Sequence, residues 1–136
     1  MKKLLMAIMI LAIGSYAWAG GQLLLNGVSA TGAGDGQLIG TTEKHTVSVY
    51  YTDANASISA LVVAFQASND PASVTDANAH WYTVASHTFT ASELTAKQAM
   101  FHVVNAPVER VRLNVTTATG IGAGVDAVYA RYTAGR

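Results

Sequence analysis

Four histidines, eight carboxylates and no cysteine make up the reactive inventory of this 136-residue chain. His45, His80, His87 and His102 are spaced so that no two fall two, three or four residues apart. No ready-made metal pair therefore sits on one strand face or one helical turn, and partly exposed strand histidines are the expectation. The absence of cysteine removes disulfides, thiolate nucleophiles and Cys-ligated zinc, haem or iron–sulfur sites. No Gly-x-Ser-x-Gly elbow is present. Asp35, Glu43, Asp53, Asp70, Asp76, Glu93, Glu109 and Asp126 are scattered, and nothing in their spacing selects a pair for glycosidase work. Gly32-Ala33-Gly34-Asp35-Gly36 has the wrong spacing for a dinucleotide loop and no helix after it, so it reads as a turn. The expectation is a protein that is not an enzyme, with a hydrolase as the remote alternative.

Three other groupings offer binding chemistry. Asp70, Asp76 and Asn78 lie in the longest polar stretch, Ser68 to Ala79, and could turn oxygens towards a calcium ion. Ordinary Asx-turn chemistry accounts for the same residues, so the expectation is no cofactor, with calcium as the alternative. Trp81 and Tyr82 are adjacent on an extended segment and should point to opposite faces. With Tyr50 and Tyr51 they could form an aromatic platform for a glycan; sheet packing is the competing account. Leu23, Leu24 and Leu25 put apolar side chains on both sides of one strand. That strand either belongs to its own sheet or pairs with the open edge of the next molecule, linking copies head to tail.

The elements that must carry these residues are strands. Gln22 to Val28, His45 to Thr52, Ser57 to Ala67, His80 to Phe89, Met100 to Val104, Glu109 to Thr116 and Val125 to Thr133 show period-two or continuous apolar patterns, with a short strand at Gln37 to Gly40. Thr90 and Glu93 have capping-box spacing, enough for one helical turn. Asn105-Ala106-Pro107 breaks the strand before it. About eight short strands without a long helix predict an all-β fold: an antiparallel, jelly-roll-like β-sandwich. In the Glu109 to Thr116 strand, Val111, Leu113 and Val115 face in while Arg110, Arg112 and Asn114 face out.

The first 19 residues read as an address. Lys2 and Lys3 precede an unbroken apolar run from Leu4 to Ile13, and Ala17-Trp18-Ala19 supplies the small-x-small pattern before a cut ahead of Gly20. Ten apolar residues are too few to span a bilayer, which needs about 20. The expected organisation is a signal peptide at 1–19 and one domain at 20–136, exported to the periplasm or the exterior, with no stable membrane insertion after cleavage. The cut removes two of eight basic residues and leaves eight acidic ones. The remainder lacks the basic excess that nucleic-acid binding needs.

Ala64-Phe65-Gln66-Ala67-Ser68-Asn69-Asp70, then Trp81-Tyr82-Thr83-Val84, then Pro107 to Val115 follow in order over about half of residues 20–136. This arrangement resembles small β-sandwich structural proteins of phage-type virions and tails, and more loosely discoidin-like binding domains. The resemblance implies a structural role without catalytic residues. The resulting expectation is an exported, non-catalytic sandwich that assembles with itself, the alternative being a module for a surface glycan.

Overall fold

The computed structural model describes residues 21–122 and 125–134; the expected signal peptide at 1–19 lies outside them. The elements in chain order are β1 (Gln22–Val28), β2 (Gly32–Ala33), β3 (Gln37–Thr52), β4 (Ala60–Ser68), β5 (Tyr82–Thr88), helix α1 (Ala91–Ala96), β6 (Gln98–Thr119) and β7 (Ala127–Ala134). All strand pairs are antiparallel.

Two of these strands are too long to stay in one layer. β3 and β6 pair with each other along their length but slip register between Leu38 and Thr42 and again between Thr42 and Lys44. Bulges of this kind let a strand bend and change sheets. Gly40 on β3 and Asn105 on β6 take left-handed backbone at the same bend (φ 68° and 58°). Pro107, which has no N–H to give a ladder, also falls there. The expected break at Asn105-Ala106-Pro107 is therefore a fold in one continuous strand.

The bend divides the strands between two sheets. The first sheet runs β1, β7, residues 44–52 of β3, residues 98–104 of β6. The second runs residues 37–42 of β3, residues 108–119 of β6, β4, β5, with β2 lengthening the β3 side. Counting each half of the bent strands separately, and β2 together with the half of β3 that it extends, gives eight segments, in orders 1-8-3-6 and 2-7-4-5. That is the strand order of a jelly roll, and the all-β sandwich expected from the strand pattern is the fold observed.

The inner faces meet as the alternation dictates. Leu24, Leu25, Val47, Val49, Val128 and Ala130 come from the first sheet; Leu61, Val63, Phe65, Val111, Leu113 and Val115 come from the second. Each fully buried side chain of this size contributes about 1.5–3 kcal/mol. Leu24 and Leu25 are consecutive, yet both face in, because β1 bulges against β7 between Leu23 and Leu25. The Leu23–Leu25 segment thus belongs to its own sheet, as an edge strand, with Leu23 outside.

His45, expected to be partly exposed, is instead fully buried at the bend. Its Nε2–H donates to the Ala106 carbonyl at 2.8 Å, which fixes the tautomer. Nδ1 then accepts from the Tyr132 hydroxyl at 2.9 Å. Burial pushes the Tyr132 phenol up to about 12. Helix α1 carries the chain from the second sheet to the first. The Thr90–Glu93 capping box opens it and Lys97, in left-handed conformation, closes it. Beside it, His87 of β5 and Phe101 of β6 stack with ring centroids 5.2 Å apart.

Candidate functional site

On the outer face of the second sheet, β6 turns Arg110 and Arg112 away from the core, as its alternation requires. Residues 69–81 then fold across them. The Asp76 carboxylate accepts from the Arg110 guanidinium and from the Gly36 N–H. Arg110 also donates to the Val74 carbonyl at 2.7 Å and is left only 7% exposed. Trp81 donates its indole N–H to the Asp76 carbonyl at 3.1 Å. The Arg112 guanidinium lies 4.3 Å from the Trp81 ring centre, and Arg110 lies 5.5 Å from it. Arg112 is also fixed by Gln66, which accepts from its Nε at 2.8 Å. Burial lowers the Arg112 pKa while Asp76 opposes the shift, and a guanidinium stays charged throughout. A Cβ on Gly36 would come within 2.6 Å of an Asp76 oxygen and 2.8 Å of the Trp81 ring, so only glycine fits.

This network settles where the sequence-derived candidates lie. Trp81 and Tyr82 do point to opposite sides. Trp81 is half-buried with its N–H and ring engaged inside the molecule, and Tyr82 is exposed at the start of β5. Asp70 accepts from the backbone N–H of His80 and from its Nδ1 at 3.1 Å. The backbone contact is the main cause that holds the Asp70 carboxyl below its usual range. Asn78 donates to the Thr75 hydroxyl at 3.1 Å. Asp70, Asp76 and Asn78 thus each answer to a different partner. Among the described residues, no group of three His, Cys, Asp or Glu side chains is placed to hold a metal ion.

One carboxylate escaped the sequence reading. Asp126 is buried and accepts from the backbone N–H of Ala54 at 2.8 Å and of Gly122 at 2.7 Å. It ties the β3–β4 loop to the β6–β7 loop. A lone Asp beside a glycine-rich turn carries no signal of that role.

The outer face of the first sheet is built differently. Tyr50 and Tyr129 are direct cross-strand partners and stack at 5.1 Å, 9° from parallel. Thr46 and His102 share a hydrogen bond of 3.0 Å. Met100 is 60% exposed and Val104 58%. A cavity of about 410 Å³ lies among Ser48, Tyr50, Glu93, Gln98 and Met100. Among the described residues, 98–104 form the rim of this sheet, paired with β3 on one side only. From residue 98 to residue 108 the chain carries no Lys, Arg, Asp or Glu. Sequence reading took Met100 to Val104 for an ordinary strand; its place at the rim follows from long-range pairing with β3, which no local pattern reports.

The fold is similar to that of a solved phage protein, the SPBc2 prophage-derived protein YomS. The TM-score is 0.50 at 13% identity, covering 82% of this chain and 88% of that one. A capsid structure from an expanded equine rhinitis A virus particle aligns with a TM-score of 0.41 at 12% identity, over 84% of this chain and 69% of that one. No protein-family model matches the chain, and no curated protein sequence matches it significantly. The expected likeness to phage-type β-sandwich proteins is met at the level of fold.

Proposed function

We propose that this protein is a non-catalytic structural subunit, exported by its N-terminal segment, that works by assembling with copies of itself. The observation that carries this reading is the division of labour between the two outer faces. Arg110, Arg112 and Trp81, which could grip a ligand on the outer face of the second sheet, are engaged in holding residues 69–81. The first sheet leaves large apolar side chains, Met100 and Val104, exposed on an uncharged rim. Exposed apolar side chains grouped along one rim are a mark of surfaces that meet other proteins. Sedimentation velocity of the purified protein over a wide concentration range tests it. Species larger than a monomer that grow with concentration are expected; a monomer at every concentration overturns the proposal.

The cavity beside Tyr50 favours a second reading, a surface glycan held against that ring. Calorimetric titration with polysaccharides checks it, with heat that disappears in Tyr50→Ala as the expected result. No heat, or heat unchanged in that variant, removes the reading.

A further inference from the structure

The rim strand of the first sheet specifies more than a sticky surface, and its partner can be argued from the strand itself. Sheets of this kind have four rims, and three of them here are interrupted. β1 slips register twice against β7. The β2–β3 rim slips twice between residues 38 and 44. β5 slips once against β4, between Phe65 and Gln66. Bulges, charges and prolines are the devices that keep a rim from pairing with another chain. Residues 98–104 pair with 44–50 of β3 without one slip, and they include no Lys, Arg, Asp or Glu. Asn105 and Pro107 lie beyond one end and Lys97 beyond the other, so the unprotected stretch is bounded.

The backbone groups on this rim follow from the ladder. Tyr51 donates its N–H to the Lys97 carbonyl at 3.1 Å, while Tyr50 stands opposite Gln98. In an antiparallel ladder the residues that exchange hydrogen bonds alternate with those that do not. The odd-numbered residues therefore bond to β3. Gln98, Met100, His102 and Val104 turn their N–H and C=O groups to the open side.

Resting on the assembly reading above, we propose that residues 98–104 pair antiparallel with the same residues of a second copy, across a twofold axis at Phe101. The two first sheets then run on as one. Both strands offer backbone groups at even positions, so a twofold pairing must match even with even. An axis at Phe101 does so, setting Met100 against His102 of the second copy and Gln98 against Val104 of the second copy. No like charges meet. The exposed Val104 of each copy arrives beside Gln98 of the other, which lines the 410 Å³ cavity with Tyr50 and Met100. Strand addition of this type draws affinity from the main chain and specificity from pockets that take alternate side chains. The surface is isologous, so it closes as a dimer.

Cysteine cross-linking tests the register, because the native chain has no cysteine. Hydrogen-bonded antiparallel partners stand about 5.5 Å apart at Cα, within disulfide reach. Met100→Cys and His102→Cys proteins, each with a distinct tag, are oxidised alone and as a mixture. A disulfide dimer that forms chiefly in the mixture and joins the two tags is expected. Equal cross-linking of either protein alone, or none in the mixture, overturns the register. Met100→Lys is expected to raise the dimer dissociation constant about tenfold or more, since it places two lysines near the axis. Circular dichroism checks that this variant is folded. If the native protein forms larger species that Met100→Lys leaves unchanged, the rim proposal falls and the assembly reading stands. A native protein that is monomeric throughout removes both.

Discussion

One strand, β6, serves both sheets, and its two halves meet opposite fates. Beyond Asn105 it turns Arg110 and Arg112 outward, and residues 69–81 come down over them. Before Asn105 it turns Met100 and Val104 outward, and both stay more than half exposed. The alternation is the same; the side chains differ. Guanidinium groups offer directional donors that a loop can satisfy with a carboxylate, a carbonyl and an aromatic face. Methionine and valine offer area but no direction, so nothing in them orders a loop. The face that can be closed from within is closed, and on the other Met100 and Val104 stay open to solvent.

Two substitutions measure how firmly the closed half is held. Leu113→Ala sets the common scale, because Leu113 lies on the same half of β6, facing in, and is wholly buried. It should cost about 2–5 kcal/mol in urea unfolding. A near-neutral value would mean that the inward alternation is wrong. Asp76→Ala should come close, at about 3 kcal/mol, because it strands Arg110 beneath the loop without its counter-charge. Trp81 reports the event directly. The other tryptophan is Trp18, so emission of protein prepared without residues 1–19 comes from Trp81. A red shift in Asp76→Ala is expected. An unshifted spectrum with less than ~1 kcal/mol lost would show that the loop closes without the ion pair, and the contrast between the halves would lose its basis.

The bend that separates the halves has its own signature in pH. Tyr132 holds its proton to about pH 12 in the folded protein, while an unfolded tyrosine releases it near 10. The stabilisation is complete below pH 10 and is lost as pH rises towards 12. The loss amounts to about 2–3 kcal/mol. Urea midpoints at pH 9 and pH 11.5 should therefore separate more in the native protein than in Tyr132→Phe. Equal separations would show that the His45–Tyr132 pair does not guard the bend. On the open half, Tyr50→Ala should cost less, about 0.5–1.5 kcal/mol, through loss of the stack on Tyr129. A double-mutant cycle with Tyr129→Ala gives the coupling, and a value near zero would make the pair incidental.

Much of this architecture was legible in the residues, and the gaps have physical reasons. Alternation from Glu109 to Thr116 placed Val111, Leu113 and Val115 inside and the arginines outside, because period two is a local property. The capping box at Thr90 was legible for the same reason. Asn105-Ala106-Pro107 read as a break because a proline usually ends pairing. Only the partner strand shows that β3 bends in step. His45 was expected to be partly exposed although it shares the inward phase of Val47, Val49 and Tyr51, because an imidazole is buried only with partners, here Tyr132 and Ala106, 87 and 61 residues away. Trp81 read either as a binding platform or as sheet packing, because aromatic type signals area. It does not signal who takes that area, and Arg112 already does. Leu23–Leu25 read either as a strand of its own sheet or as an arm for another molecule, and one bulge puts two of the three leucines in their own core.

The smallest expected effect is the one that separates stability from assembly. Met100 sits on the open half with most of its surface in water, so folding gains little from it. Met100→Lys should change the unfolding free energy of dilute, monomeric protein by no more than about 0.5 kcal/mol. Thermal unfolding at low concentration reads this value. At high concentration the native protein should melt higher than Met100→Lys, because association stabilises only the folded form. A methionine whose replacement costs as much in dilute solution as Leu113→Ala would belong to the core of its own molecule. The first sheet would then be no more open than the second.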